Sequence, residues 1–354
     1  MRTTYRSGTG IVAKWGGRRA AVVAGAMWAL ANAALPGCAV GRPAPGTAMA
    51  RQGDEIVVCG QLFHTGAPVV LWTDPGGYDA YRTEKRFVPW EGAAWSPGSG
   101  PETPNRYGLR RVDLSKDEFE QVRGGGWDLA TLRRVVSQFV IHYDVCGTSR
   151  QCFRVLHDVR GLSVHFMLDI DGTIYQTLDV KERAWHATTS NDCGVGIEIA
   201  NIGAYPVRED GAVPEVLAEW YGRDDAGPFI TLPEWMGDGG VRTAGFVGRP
   251  SRAEMVVGEV QGSRLAQYDM TDAQYDSLIK LTATLCTVLP RIECDYPRND
   301  RGELVRAKLD DAALAEYRGL IGHFHITENK TDPGPAFDWE RVVRGAKELM
   351  ETGH

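Results

Sequence analysis

The spacing of apolar residues predicts a chain in which strands and helices alternate. Runs of apolar, β-forming residues predict strands at 135–143, 164–170, 173–178, 195–200 and 319–327. Apolar residues at helical spacing predict helices at 151–160, 271–289 and 339–350. The run at 195–200 is apolar nearly throughout, which is typical of a central strand. This order predicts an α/β fold with a mixed central β-sheet flanked by helices.

Turn and cap residues refine the ends of these elements. Asp171-Gly172 separates two of the predicted strands and favours a tight hairpin. Ser115 with Glu118, and Thr271 with Gln274, form capping-box patterns that open a short and a long helix. Nearer the N-terminus, the apolar runs 56–59 and 68–72 predict a further hairpin.

The strength of the pattern also divides the chain into segments. We expect an export signal at 1–37, a tether at 39–54, an N-terminal extension at 55–130 and the main folded domain at 131–350. The pattern weakens at about 205–265, apart from a predicted hairpin around 254–260. Because a structureless loop of this length is unusual inside a domain, we interpret it as an insertion with contacts of its own.

Composition indicates a globular protein. The 354 residues are 43% hydrophobic and 24% charged, which argues against a disordered chain and against a polytopic membrane protein. The first 37 residues are basic and contain no acidic side chain, so the remaining 34 basic and 46 acidic side chains give a net charge of −12. A chain this acidic is a poor candidate for binding nucleic acid.

The N-terminus has the pattern of an export signal. Arg18 and Arg19 precede the apolar segment 20–35, which is slightly short for a membrane-spanning helix. The segment 35–38, Leu-Pro-Gly-Cys, resembles a bacterial lipobox, in which Cys38 would carry the lipid. We therefore expect an exported protein of the cell envelope, anchored to the membrane as a lipoprotein that faces the periplasm or the cell wall. A plain cleaved signal is the alternative.

Six cysteines remain after Cys38, and six thiols allow 15 complete pairings in an oxidising compartment. Cys146 and Cys152 are the best local candidates for a disulfide, because five residues separate them directly after a predicted strand. No CxxC pair is present, so a structural zinc knuckle has no support.

Three residues from distant segments have the chemistry of a catalytic metal site. His142 lies at the end of a predicted strand, His323 lies in another, and Asp332 follows in a proline-rich turn. Two imidazoles and a carboxylate would leave a fourth position of a zinc ion open. His325 is the rival ligand, because strand alternation would put it on the same face as His323.

Six short blocks carry a resemblance to a known family. They occur at 139–142 (FVIH), 164–166 (VHF), 183–187 (RAWHA), 196–199 (GIEI), 322–323 (GH) and 330–337 (KTDPGPAF). Their order resembles that in type 2 N-acetylmuramoyl-L-alanine amidases, a zinc amidase family that includes phage amidases and peptidoglycan recognition proteins. The pair Cys146 and Cys152 also resembles the short disulfide loop of the recognition proteins.

The resemblance implies a function and assigns roles. It makes His142, His323 and Asp332 the ligands of Zn²⁺, Glu198 the group that moves a proton, and Lys330 a positive donor to the developing oxyanion. Apart from the resemblance, we expect Trp185 and His186 to line the substrate cleft, with burial of Trp185 in the core as an equal alternative. The resemblance does not extend to the N-terminal extension or the insertion. The implied reaction is hydrolysis of the amide between N-acetylmuramic acid and L-alanine in peptidoglycan or muropeptides.

Two other functions stay open from sequence. Some family members bind peptidoglycan without cleaving it, although those typically lack the third zinc ligand, which is present here as Asp332. A zinc peptidase that acts on stem peptides is the more distant alternative.

This chain departs from the family in one respect, because the interval from Glu198 to His323 is far longer than is usual.

Overall fold

The computed structural model describes residues 44–95, 106–207 and 212–352. The expected export signal at 1–37 and Cys38 lie outside these residues. Within Met1–Met49 the described residues are exposed, and Ala50–His354 form a separate compact unit. Among the described residues, no helix combines the length and the apolar character that a membrane crossing requires.

The N-terminal extension contributes three strands and one helix, and a second helix crosses its boundary with the next segment. They are β1 (Glu55–Val58), β2 (Gln61–His64), β3 (Val69–Leu71), α1 (Lys116–Arg123) and α2 (Leu129–Val135). The capping box of Ser115 and Glu118 opens α1 as expected. The sequence pattern did not predict α2, which is capped by the side chain of Asp128.

The predicted hairpin between 56–59 and 68–72 is wrong. Cys59 and Gly60 both have positive φ (51° and 71°), so the chain reverses directly after β1 and pairs it with β2. The second run becomes β3, which is fully buried and joins the central sheet instead.

The next segment contains most of the central sheet. Its elements are β4 (Gln138–Tyr143), α3 (Ser149–Phe153), β5 (Phe166–Leu168), β6 (Ile174–Gln176) and β7 (Gly194–Ile199). The helix α3 continues as a wider π-helical turn over Arg154–Val159. β5 and β6 form the predicted hairpin around Asp171-Gly172.

The region predicted as an insertion folds into small elements of its own. These are β8 (Tyr205–Pro206), α4 (Glu215–Trp220), β9 (Tyr221–Asp224), β10 (Gly227–Ile230), β11 (Val256–Val260) and β12 (Ser263–Gln267). β9 and β10 form one hairpin, while β11, β12 and β8 form a three-stranded antiparallel sheet.

The last elements are α5 (Asp272–Val288), α6 (Asp311–Glu316), β13 (Gly319–Gly322) and α7 (Trp339–Thr352). The long helix has the predicted capping box of Thr271 and Gln274. The final strand is shorter than predicted, because the chain leaves the sheet after Gly322 and His323–His325 form a 3-10 turn.

The central sheet has six strands in the order β13-β4-β7-β5-β6-β3. β13, β4, β7 and β5 are parallel, and β6 runs antiparallel to β5. The expectation of a mixed sheet with a central strand at 195–200 is therefore confirmed. The carboxyl ends of β13, β4 and β7 lie at one edge, which is where open α/β sheets place their ligands.

Apolar side chains cover both faces of this sheet. On one face, Tyr275, Leu281 and Leu285 of α5 and Val342 of α7 join Ile141 of β4 in the largest buried cluster. On the other face, Phe153 and Leu156 pack with Met167 of β5 and Tyr175 of β6. The two layers hold the sheet rigidly, so the edge that carries the candidate site has a fixed geometry.

Candidate active site at the carboxyl edge of the sheet

Three neighbouring parallel strands bring the predicted site residues together. His142 is the penultimate residue of β4, and its Cα pairs in register with that of Glu198 in β7. His323 follows β13 directly, on the other side of β4. Strand pairing therefore places two of the predicted metal ligands and the predicted proton carrier side by side.

His142, His323 and Asp332 point their ligand atoms at one another. Nδ1 of His142 lies 3.1 Å from Nδ1 of His323 and 2.8 Å from Oδ2 of Asp332, and the third distance, from His323 Nδ1 to Asp332 Oδ2, is 3.0 Å. All three residues are buried, and we call them the metal group. A tetrahedral zinc ion with bonds of about 2.0–2.1 Å requires ligand atoms about 3.3 Å apart, so the donor set fits zinc after a small expansion.

The protonation states of this group also suit a cation. Burial lowers the pKa of His142 to about 4, although the carboxylate of Asp332 opposes the shift. Burial alone would raise the pKa of Asp332, but His323 and the hydrogen bond with His142 outweigh it and hold that pKa below its usual range. A neutral imidazole and an ionised carboxylate are the forms that bind a metal.

His186 contacts the side of the His142 ring that faces away from His323 and Asp332. Its Nδ1 is 3.0 Å from Nε2 of His142, on the opposite side of the ring from the ligand atom. The His186 ring rests on Gly196 of β7, where an added Cβ would lie 2.4–2.7 Å from three ring atoms. Nε2 of His186 is buried and has no hydrogen-bond partner among the described residues. The arrangement turns Nδ1 of His142 toward His323 and Asp332, a role that the sequence did not predict for His186.

His325 is not part of the metal group. Because the strand ends at Gly322, the alternation argument that put His325 beside His323 is wrong. Nδ1 of His325 accepts a hydrogen bond from the Gly322 amide, and Nε2 donates to the carbonyl of Val305 at 2.7 Å. Both ring nitrogens are therefore used to hold the turn.

Two glutamine side chains from the β11–β12 hairpin hold the turns that carry the ligands. Nε2 of Gln267 donates to the carbonyl of Pro333, and its Oε1 accepts from the amide of Ala336. Nε2 of Gln261 donates to the carbonyls of Phe324 and Thr327, next to His323. The predicted insertion thus positions the metal group, and no sequence signal indicated it.

A cavity of about 270 Å³ opens in front of the metal group. Its lining includes the predicted residues Glu198, Lys330, Trp185 and His186. Burial, with the nearby carboxylates of Asp332 and Asp144, raises the pKa of Glu198 well above its usual value. A carboxyl group with a raised pKa is suited to carry a proton at neutral pH.

Asp144 is a further residue of this cavity that the sequence analysis missed. Its Oδ1 accepts hydrogen bonds from the amides of Cys146, Gly147 and Asn201, while Oδ2 is buried without a partner among the described residues. Burial raises the pKa of Asp144 to about 8. Its position two residues after His142, at the carboxyl end of β4, was the available signal.

Cys146 and Cys152 also line the cavity, and Cys146 packs against the buried cluster that contains Cys152. All six described cysteines are thiols in the structure, so the disulfide between these two stays a prediction. Both residues lie in one region of the structure, as a disulfide between them requires.

The region that contains this site is similar in sequence to known proteins. Residues 132–335 match the family model described as N-acetylmuramoyl-L-alanine amidase. The 1,6-anhydro-N-acetylmuramyl-L-alanine amidase AmpD of Haemophilus influenzae is 23% identical over 197 residues, which are 55% of this chain and 64% of the relative. AmpD of Salmonella typhimurium is 26% identical over 182 residues, or 51% of this chain and 54% of the relative. The matched regions thus span less than two thirds of either relative.

Two solved structures are also similar. The selenomethionine derivative of AmpD covers 76% of this chain and 98% of its own, at 19% identity and a TM-score of 0.31. The complex of the N-acetylmuramyl-L-alanine amidase AmiD from E. coli with the substrate anhydro-N-acetylmuramic acid-L-Ala-D-gamma-Glu-L-Lys covers 59% of this chain and 57% of its own, at 17% identity and a TM-score of 0.32. The family match includes more than half of this chain and every residue of the metal group. The chain therefore belongs to the N-acetylmuramoyl-L-alanine amidase family.

Proposed function

We propose that this protein hydrolyses the amide bond between N-acetylmuramic acid and L-alanine in peptidoglycan or muropeptides, with zinc as its cofactor. The observation that carries the proposal is the convergence of His142, His323 and Asp332 beside Glu198 at one edge of the sheet. A family of amidases with this bond in its name matches the region that holds all four residues.

The metal group would hold Zn²⁺ through Nδ1 of His142, Nδ1 of His323 and Oδ2 of Asp332. Three protein ligands leave a coordination position open, as catalytic rather than structural zinc sites do. When bound, zinc supplies Lewis acidity, which polarises a carbonyl group and makes water a stronger acid.

Glu198 and Lys330 account for the remaining chemistry. Glu198 accepts a proton on a carboxylate oxygen from the attacking water and donates it to the amide nitrogen of the leaving L-alanine. Its raised pKa makes the carboxylate a stronger base for the first step and lets the carboxyl group hold the proton until the second. Lys330, which lines the same cavity, offers a positive donor to the oxygen that becomes negative in the transition state. Trp185 and His186 bound the space that remains for substrate.

Digestion of purified sacculi tests the reaction. We expect mass spectrometry to find free stem peptides that begin at L-alanine, and we expect a chelator or Asp332→Ala to abolish their release. Glu328→Ala is the matched control, because Glu328 is an exposed acid in the same loop. Release of intact muropeptides, or cleavage only within the stem peptide, would contradict the proposal.

The role of Glu198 has its own readout. Glu198→Gln should keep bound zinc, measured by elemental analysis, and lose turnover. If that variant loses the metal, Glu198 is a ligand and not the proton carrier.

We also propose that the protein is exported and anchored by a lipid on Cys38. This rests on the basic segment with Arg18 and Arg19, the apolar segment 20–35 and the Leu-Pro-Gly-Cys sequence at 35–38. Labelling with radioactive palmitate should mark the wild-type protein and not Cys38→Ser. Equal labelling of both would exclude this anchor.

A further inference from the structure

A groove with a volume of about 760 Å³ lies in the N-terminal extension. Almost all of its lining comes from residues 72–93, outside the region 132–335 that matches the family. Trp72, Tyr81 and Trp90 supply aromatic surface, and the Trp90 side chain is 75% exposed. Nothing in the proposed reaction uses this groove.

The aromatic side chains continue from the groove toward the catalytic cavity. The ring centroids of Trp72 and Tyr81 are 5.5 Å apart, and those of Tyr81 and Tyr107 are 5.2 Å apart. Tyr107 is 45% exposed. The next residue, Gly108, packs on Trp185, since an added Cβ would lie 3.2 Å from that indole ring. Because Trp185 lines the catalytic cavity, the aromatic row ends one residue before a glycine that packs on a wall of the proposed active site.

A buried arginine and a backbone hydrogen bond hold this row in place. Arg106, directly before Tyr107, is buried and donates to the carbonyls of Arg82 and His157. The carbonyl of Gly108 accepts a hydrogen bond from the amide of Arg183 at 2.9 Å. An exposed aromatic side chain on a fixed backbone binds a ligand at a low entropic cost.

The polar lining indicates the charge of the ligand. Three acidic side chains (Asp74, Asp79 and Glu84) and three basic ones (Arg82, Lys85 and Arg86) border the groove, so their charges balance. A lining without net charge suits a neutral ligand better than a stem peptide, which carries carboxylates. Aromatic faces with a few hydrogen-bonding groups beside them suit the apolar faces and hydroxyls of pyranose rings.

We propose that this groove and the row Trp72-Tyr81-Tyr107 bind the glycan strand of peptidoglycan, a polymer of N-acetylhexosamines, and guide it toward the catalytic cavity. The inference rests on the proposed function, because it assigns the polymer on which that activity would work. It adds a substrate-binding surface supplied by the N-terminal extension.

Binding of neutral oligosaccharides tests the groove independently of catalysis. The probe is a series of tetra- to hexasaccharides of N-acetylglucosamine, titrated calorimetrically into the full chain. We expect Trp90→Ala and Tyr107→Ala to weaken binding about tenfold each. Trp235→Ala is the matched control, since Trp235 is a 67% exposed indole that does not line the groove.

Kinetics provide the second readout. The ratio of KM on sacculi to KM on a monomeric muropeptide should rise in Trp90→Ala and Tyr107→Ala and stay unchanged in Trp235→Ala. The inference is overturned if Trp90→Ala and Tyr107→Ala bind the oligosaccharides as the wild type does and keep its KM ratio. It is also overturned if Trp235→Ala loses as much binding as they do. Neither result would contradict the amidase activity. Absence of amide hydrolysis with retained oligosaccharide binding would instead refute the proposed function.

Discussion

Gly196 shows how a single residue controls the metal group without touching it. The His186 ring occupies the place where any larger residue at 196 would put its Cβ, and His186 in turn contacts Nε2 of His142. A partner on the second nitrogen of a ligating imidazole fixes the orientation of the ring. Gly196 does not have a left-handed backbone conformation, so alanine at this position would cause no backbone strain. Its methyl group would act only by its steric clash with the His186 ring.

We therefore expect Gly196→Ala to weaken zinc affinity about tenfold or more, which is the usual effect of losing such a partner. Competition with a chromophoric chelator measures it. In the double variant Gly196→Ala/His186→Ala the ring that clashes is absent, so its affinity should equal that of His186→Ala alone. A further loss in the double variant would show that Gly196 acts by another route.

Among the elements, the β11–β12 hairpin has the clearest influence on the site. Gln261 and Gln267 stand at its two ends and bind the backbone of the turns that hold His323 and Asp332. Gly334 has a φ of 86°, and its Cα passes so close to Gln267 that a Cβ would lie 2.1 Å from Oε1. The hairpin therefore acts as a clamp on both ligand turns.

Gln267→Ala should reduce zinc affinity and turnover together, because the turn carrying Asp332 loses its hydrogen bonds at Pro333 and Ala336. Removing a buried hydrogen-bond partner also costs about 1–3 kcal/mol of folding free energy. Gln121→Ala, on the exposed face of α1, is the control. Chelator competition measures the zinc affinity of both variants. Equal affinities would contradict the role of the hairpin as a clamp.

At the scale of the whole molecule, the N-terminal extension is built into the catalytic domain. Arg110 is fully buried and donates to the carbonyls of Val180, Asn191 and Gly194, and it lies 3.1 Å from Nε2 of His165. His165 accepts a hydrogen bond from the amide of Gly196, so the contact reaches the strand that carries Glu198.

Arg110→Ala should lower the free energy of unfolding by about 3 kcal/mol or more, because several buried carbonyls lose a charged donor. The neighbouring Arg111 is exposed, so Arg111→Ala should change stability by less than about 0.5 kcal/mol. Urea unfolding of the two variants measures both values. Equal stabilities would mean that the extension is not anchored through Arg110.

The sequence alone determined the elements whose signals are local. Apolar periodicity and capping residues located α5, α7, the β5–β6 hairpin and the central strand β7, because those signals depend on residues a few positions apart. The ordered motifs also identified His142, His323 and Asp332, which the structure brings together.

Only the tertiary structure decided relations between distant segments. Strand order placed Glu198 beside His142, and the early end of β13 turned His325 away from the metal group. The pairing of β3 with β6 and the clamp by Gln267 are contacts across long stretches of chain. Such contacts form when burial and hydrogen bonding at separated positions are satisfied together, and no local pattern records which positions those are.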